Sequence, residues 1–517
     1  MVHAARRPTA FAAARTSPPL ASGDGSGGIA VMLNFGGNVS FTPRHVYTPA
    51  GEDEVLAILD RHAHGTVRVA GALHAWSDAV ATDDVVIDLR QLARVHVETD
   101  ASGQLRATVG GGCTLARVVD ELREQAGAAL PTIGAVMQQT IAGAISTGTH
   151  GSGGPSLSHW IEAVRVAAYD PATGRARIFE FVGGDELRAA RCALGCMGVV
   201  LSVRLRCRRE YWVSEMISHD RTLEAVLARR AEYPLQQFML IPYAWQYVAF
   251  NRREADAPGA RTRLWSRAYR LYDVAALEIA PHQLLSRVLL RASKDGRPSA
   301  LIRRFLQHVL PRFFRAPRTT LPSMAALTLH TKHHASVRHV EMELFIPEPR
   351  LDYAVRLLRA VLEWSAGTTD AVPDALRSDV EGVGLGEELA AARGRYMQHY
   401  PLFFRRVRAD DTLISMTSGG TDYYTISLFT YLPEEQRRAF YALCALVARA
   451  LVRLTDARLH WGKYFPLALD DVAARYPDLA AFRRHCVAVD PRSVFVNDYA
   501  QRVLGLSRAA GDGGGGA

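Results

Sequence analysis

Cysteine is scarce in this 517-residue chain. Only Cys113, Cys192, Cys196, Cys207, Cys444 and Cys486 occur, and no two stand as CxxC. That excludes a zinc ribbon or finger, and it predicts reduced, mostly buried thiols in an intracellular, cytoplasmic protein. No run of 18 or more uncharged apolar residues exists, so no transmembrane helix is expected. The N-terminus lacks the 7–15-residue apolar core of a secretory signal. No internal repeat stands out, and there is no helix-turn-helix, zinc-finger or RNA-recognition pattern. The net charge of +9, from 61 Lys+Arg against 52 Asp+Glu, is spread along the chain rather than clustered. A nucleic-acid partner is therefore not expected. The excess, nearly all arginine, suits an anionic ligand, an acidic partner or a membrane surface.

With 48% hydrophobic residues the chain can bury large cores. Residues 1–33 are rich in Arg, Ala, Ser and Gly and read as a disordered extension, with Met32 opening the ordered pattern. Gly23, Gly25 and Gly28 match GxGxxG, but no strand precedes them and no helix follows, so they fail the context of a dinucleotide site. Residues 508–517 read as a disordered tail. From Glu52 to about residue 210, helices and strands alternate. Glu52–His62 has Val55, Leu56 and Leu59 on one face, and a helix from Thr114 runs to about Gln125 with Gly127 past its end. Strands are expected at 66–70, 85–89, 106–109, 163–169, 177–182 and 199–205, separated by a short helix at 185–192. Beyond Tyr211 longer strand-like runs appear at 238–241, 247–251, 339–346, 402–407 and 423–431, with helices at 351–364 and 434–454. The pattern is α+β, with an antiparallel sheet covered by helices in the second part. Residues 282–318 are basic and amphipathic, with Leu301, Ile302, Phe305, Leu306, Phe313 and Phe314 among arginines. They read as a packed helix pair or, less simply, as a peripheral membrane contact.

Three stretches carry chemistry. Gln139–Gly154, QTIAGAISTGTHGSGG, is a Gly- and hydroxyl-rich loop whose backbone N–H groups could meet a flat polar ring or a pyrophosphate. Its buried-type Ile141, Ala142, Ala144 and Ile145 argue against a plain linker. A turn, Gly71 to Asp78, follows the strand Val67–Ala70 and contains His74. The third is His460-Trp461-Gly462-Lys463, where a lysine beside an aromatic and a glycine can fix a cation near a planar ligand. No spacing of His, Cys or carboxylates suggests a metal.

Taken together with Leu194–Val200 and Phe495–Tyr499, these stretches resemble the FAD-linked aldonolactone oxidases, the group of L-gulonolactone and D-arabinono-1,4-lactone oxidases, with alditol oxidases as close relatives. The resemblance covers about residues 34–507. It implies a two-domain vanillyl-alcohol-oxidase-type FAD fold: an FAD-binding domain at 34–210, a substrate domain at 211–455, and a segment at 456–507 that returns to complete the flavin site. It implies that Ala70, Gly71, Ala72, Leu73, His74, Ala75 and Ser77 hold the pyrophosphate. Gly134, Ala135, Thr140, Gly143, Thr147, Gly148, Thr149 and His150 would line the flavin, and Val199 would meet the adenine end through its backbone. His74 aligns with a histidine that links covalently to the flavin in many relatives. Lys463 would lie near flavin N1 and C2=O.

One departure matters. The family carries Glu-x-Arg on a strand of the substrate domain; here the matching residues are Phe403 and Arg405. An apolar ring in place of a carboxylate favours a less hydroxylated substrate. The resemblance implies oxidation of a CH–OH group of a sugar lactone, polyol or related alcohol, with Lys463, Arg405 and His460 at the reacting centre and oxygen as acceptor. Two alternatives stay open: a dehydrogenase passing electrons to a quinone or cytochrome at a membrane, and a basic membrane-surface protein with a vestigial flavin fold.

Overall fold

The structure is a computed structural model and describes residues 31–273, 293–315, 318–328 and 338–508. The GxGxxG glycines, residues 509–517 and, within 282–318, residues 282–292 and 316–317 lie outside the described residues. Met32–Leu33 pairs with Ser40–Phe41, so these two residues of the stretch read as an extension belong to a strand. At the other end Arg508 pairs with Asp498 and Thr66.

Three strands, β1 (His45–Tyr47), β2 (Val67–Ala70) and β3 (Val85–Asp88), form a small parallel sheet with β3 in the middle. All four residues of β3 are buried, as parallel strands covered on both faces require. Helix α1 (Glu52–Arg61) turns Val55, Ile58 and Leu59 inward. An antiparallel sheet follows, of β4 (Val95–Thr99), β5 (Leu105–Gly110), β6 (Ile161–Tyr169), β7 (Ala176–Phe181) and β8 (Val199–Arg206), in the order β7-β6-β8-β5-β4. Helix α2 (Leu115–Ala126) is capped by Thr114, whose hydroxyl accepts from the N–H of Arg117. It stops at Gly127 in the left-handed region, φ 57°, where glycine has no Cβ to clash. The expected Gly-rich loop is partly helical. Thr140 caps α3 (Ile141–Ser146), and Ile141, Ala142, Ala144 and Ile145 pack inward, because the apolar pairs share one face of a helix.

The second half is one eight-stranded antiparallel sheet. Its strands are β9 (Trp212–Asp220), β10 (Gln237–Ile241), β11 (Gln246–Ala255), β12 (Thr319–Pro322), β13 (Val340–Pro347), β14 (Leu402–Val407), β15 (Tyr423–Thr430) and β16 (Arg458–Leu459), in the order β12-β9-β11-β10-β14-β15-β13-β16. Helices Leu351–Ser365 and Arg438–Thr455 pack on it. Side chains alternate between the two faces. Val340, Met342 and Leu344 are fully buried on one face of β13, while His339, Glu341 and Glu343 turn to the other and line a cavity.

The helical stretch at 300–313 forms part of the cavity wall. Ile302, Phe305, Leu306 and Leu310 are buried, as is Phe314 just beyond it, and Leu310 and Phe314 reach the cavity; Leu301 and Val309 remain exposed. Most of its apolar stripe is used in packing. Among the described residues no helix is long and apolar enough to cross a membrane. All six cysteines are buried and unpaired.

Candidate active site

The cavity lies between the small parallel sheet, α3 and the open face of the eight-stranded sheet. Ala70 to Ala75, the turn after β2, form one wall. Leu73 sits at φ 52°, a left-handed conformation that a leucine adopts only when its surroundings impose it. The carbonyl of Leu73 accepts the N–H of Phe35 (2.8 Å), and the carbonyl of Ala75 accepts from Asn34 Nδ2 (2.8 Å). The backbone N–H groups of Ala72, Leu73 and Ala75 donate to no protein group among the described residues. Successive N–H groups with one residue in the left-handed region make a nest for an anion. A buried cation stands behind it. Arg68 donates to the carbonyls of Ala79, Leu194 and Phe495, each at 2.5 Å, and no acidic side chain pairs with it among the described residues. This donor set fits the pyrophosphate of a dinucleotide.

Gly134, Ala135, Thr140, Gly143, Thr147, Thr149 and His150 line the next part of the cavity, and His460, Gly462 and Lys463 close it from the C-terminal side. Three expected residues do not face it. Ser77 is buried and donates to the carbonyl of Trp461 (2.7 Å), tying the turn to the C-terminal segment. Gly148, at φ 73°, turns toward Met416, which an added Cβ would approach to 2.8 Å. Val199 is fully buried at the start of β8, while its neighbours Gly198 and Val200 reach the cavity.

The floor is set by register. Phe403 of β14 lies opposite Ser427 of β15, and Ser427 lies opposite Glu343 of β13. Arg405 is two residues along on the same face, and no carboxylate pairs with it among the described residues. Phe403 belongs to an aromatic cluster: ring centroids lie 6.0 Å from Tyr400 and 5.7 Å from Phe429, and Tyr400 lies 4.9 Å from Tyr431. Met239, Phe250, Leu310, Phe314 and Leu327 extend this apolar wall.

Beside it lies a charged network whose His150, His460 and Lys463 were expected from the sequence and whose Glu343 and Glu341 were not. His150 donates from Nδ1 to the carbonyl of Gly151 (2.9 Å) and turns Nε2 toward Glu343 Oε1 at 3.4 Å. His460 Nδ1 accepts the N–H of Gly462 (3.0 Å), which leaves its proton on Nε2. Ligand atoms of His150, Glu343 and His460 lie within 4.8 Å of one another. Burial pushes the Glu343 carboxyl up, but His150 first and then Lys463 outweigh it and hold the group well below the usual range. Burial, reinforced by the charges of Lys463, His150 and Arg405, keeps His460 neutral against the pull of Glu343. Burial and then the charge of Lys463 bring His74 down to about 4. The alternating acids of Val340-Glu341-Met342-Glu343-Leu344 were the available signal. In a strand with apolar residues on one face, charges at every second position mark a face turned to a polar site.

Two family models match the chain: an FAD binding domain over residues 43–175 and D-arabinono-1,4-lactone oxidase over residues 278–503. A long-chain alcohol oxidase of an uncultured marine euryarchaeote is 41% identical over 93% of this chain and 98% of its own length. An L-gulono-1,4-lactone dehydrogenase of Mycobacterium tuberculosis is 26% identical over 92% and 99%. Among solved structures, a solvent-stable cholesterol oxidase superposes with TM-score 0.68 at 15% identity, covering 92% of this chain and 97% of that one; this likeness speaks for the fold alone. The anion nest and buried arginine fit the dinucleotide, and the matched models span both halves of the cavity. The chain belongs to the FAD-linked aldonolactone oxidase family, with a two-domain vanillyl-alcohol-oxidase-type fold, and is an FAD-dependent oxidoreductase acting on CH–OH donors.

Proposed function

We propose that this enzyme oxidises the CH–OH group of an apolar, long-chain alcohol and uses oxygen as its acceptor. The observation that carries the reading is Phe403, in register with Ser427 and Glu343 and continuous with Met239, Phe250 and Phe314. A sugar lactone would bury several hydroxyl groups against these rings without partners, at a cost of about 1–3 kcal/mol for each one. An alkyl chain loses nothing there and gains about 0.8 kcal/mol per buried CH₂. The name of the 41%-identical relative supports the same choice.

In this reading residues 34–210 hold FAD, 211–455 form the substrate domain and 456–507 complete the flavin site. The turn Ala70–Ala75, fixed by Ser77, takes the pyrophosphate. Gly134, Ala135, Thr140, Gly143 and Thr147 to His150 border the flavin ring, with Gly148 serving the turn, and the backbone around Val199 meets the adenine end. FAD, when bound, supplies the hydride acceptor and the reaction with oxygen. The chain does the rest. Arg405 orients the substrate oxygen. His460, held neutral with its proton on Nε2, donates a hydrogen bond at the reacting end. Lys463 stabilises negative charge at the flavin's pyrimidine edge. The apolar wall excludes water.

Within the described part of 282–318, Ile302, Phe305, Leu306 and Leu310 pack inward, so this apolar stripe serves the core and not a membrane surface.

The deciding experiment follows flavin bleaching without oxygen across primary alcohols of rising chain length, polyols and sugar lactones. The rate should climb with chain length. A lactone or polyol that bleaches the flavin faster than every aliphatic alcohol overturns the reading.

A further inference from the structure

Glu341 and Glu343 both face the cavity from β13, and each meets a basic side chain. Glu343 lies 3.4 Å from Nε2 of His150, and Glu341 pairs with Nζ of Lys463. The other side of that ammonium faces Trp76, with Nζ 4.3 Å from the ring centroid. Trp76 is itself pinned. Its Nε1 donates to the carbonyl of His339 (2.5 Å) and its backbone N–H to the carbonyl of Gly462 (2.8 Å). The lysine is thus caged between a carboxylate and an indole face, and both partners of the pair are largely buried, with side chains 15% and 8% exposed.

We infer that Glu341 sets how much positive charge Lys463 presents to the flavin, and so tunes the flavin's reduction potential and its affinity for anions. The inference rests on the reading that Lys463 borders the flavin ring. An isolated cation acts on a nearby charge as 1/r, whereas a contact ion pair acts as a dipole whose field falls faster. Lys463 paired with Glu341 therefore stabilises negative charge on the ring less than a lone lysine would. The indole adds attraction for the ammonium but no net charge. Glu341 also gives the buried ammonium a partner before any other negative charge arrives, where an unpaired cation would be costly. Glu341 is a positioning residue here: it touches Lys463 and acts on the flavin through it.

The test uses the flavin-loaded protein and two readouts, the flavin midpoint potential and the affinity for sulfite, whose adduct places negative charge on the ring. Glu341→Gln keeps the shape and removes the charge. It should raise the potential and tighten sulfite binding by roughly tenfold or more. Lys463→Met should shift both readouts the other way. Glu341→Asp, which keeps the charge but withdraws it by one methylene, should fall between the parent and Glu341→Gln, and it covers the case in which the amide variant fails to fold. Unchanged or weaker sulfite binding in Glu341→Gln, with Lys463→Met still responsive, overturns the inference alone. A protein without flavin, or a Lys463→Met variant with the parent's potential, overturns the placement of Lys463 as well.

Discussion

Phe403 and Glu343 face the same cavity from two strands, separated only by Ser427 on the strand between them. One is a ring and the other an ionised carboxylate, so the floor changes from apolar to charged across a single row. Phe403→Glu would extend the charged side beneath the substrate and beside Arg405. It should lower kcat/KM for a long primary alcohol by about 10²-fold, the scale of burying one unmatched polar group. Activity on polyols should rise in compensation. Phe403→Leu, as control, should keep the parent's order of substrates. A Phe403→Glu enzyme with unchanged preference would place the substrate elsewhere.

His74 borders the cavity beside the anion nest, and its environment keeps it neutral at physiological pH. A neutral imidazole retains the lone pair that a covalent link to the flavin requires. Acid precipitation should leave the yellow colour in the protein pellet, and His74→Ala should release it to the supernatant. Flavin released from the unaltered protein would refute the link.

Gly134 is not in the left-handed region, so its backbone makes no demand for glycine; space does. An added Cβ would come within 2.7 Å of Cγ2 of Thr149 and 3.6 Å of the carbonyl oxygen of His150. Thr149→Ser removes that methyl and makes room, so Gly134→Ala in the Thr149→Ser background tests the gap without the clash. If oxygen approaches the flavin past Gly134, reoxidation should slow about tenfold or more while reduction by substrate changes little, because one methyl can close a gap in a packed interior. Stopped-flow measurement of the two half-reactions separates these effects. If the parent enzyme reoxidises no faster than free flavin yet reacts quickly with a quinone, the acceptor is not oxygen.

His399 is fully enclosed under the cavity's aromatic cluster. Its Nε2 accepts the N–H of Tyr431 (3.2 Å), and Nδ1 lies 3.2 Å from the hydroxyl of Tyr396. Burial pushes its pKa down to about 4. In the unfolded chain histidine takes up a proton near pH 6.5, so the unfolded state binds it first as pH falls. Stability from this group is present above pH 6.5 and is lost as pH drops toward 4, by roughly 3 kcal/mol. Urea unfolding at pH 7 and pH 4.5 should show the loss, and His399→Gln should show a shallower pH slope by about one proton. An equal slope in the variant would mean that His399 keeps its proton in the folded state.

Much of the chain was legible in its residues because local physics wrote it there. Thr114 and Gly127 bound α2 as cap and stop. The apolar run at 85–89 announced a strand, and the structure shows β3 buried on both sides. The combination of ISTGTHGSG and HWGK carried the family, since few folds need a close-approach glycine turn and a fixed lysine at opposite ends of one chain. What stayed hidden depends on pairing over distance. Glu341 and Lys463 are 122 positions apart and meet only because β16 lies beside β13, which delivers His460 to Lys463 over the same face. The sequence of 300–314 revealed an apolar stripe but not its partner, because amphipathicity specifies a face and tertiary packing decides what covers it. Phe403 was readable as a ring where its family has an acid. That it shares a row with Glu343 followed from strand register, which fixes every cross-strand neighbour at once and leaves no trace in either strand alone.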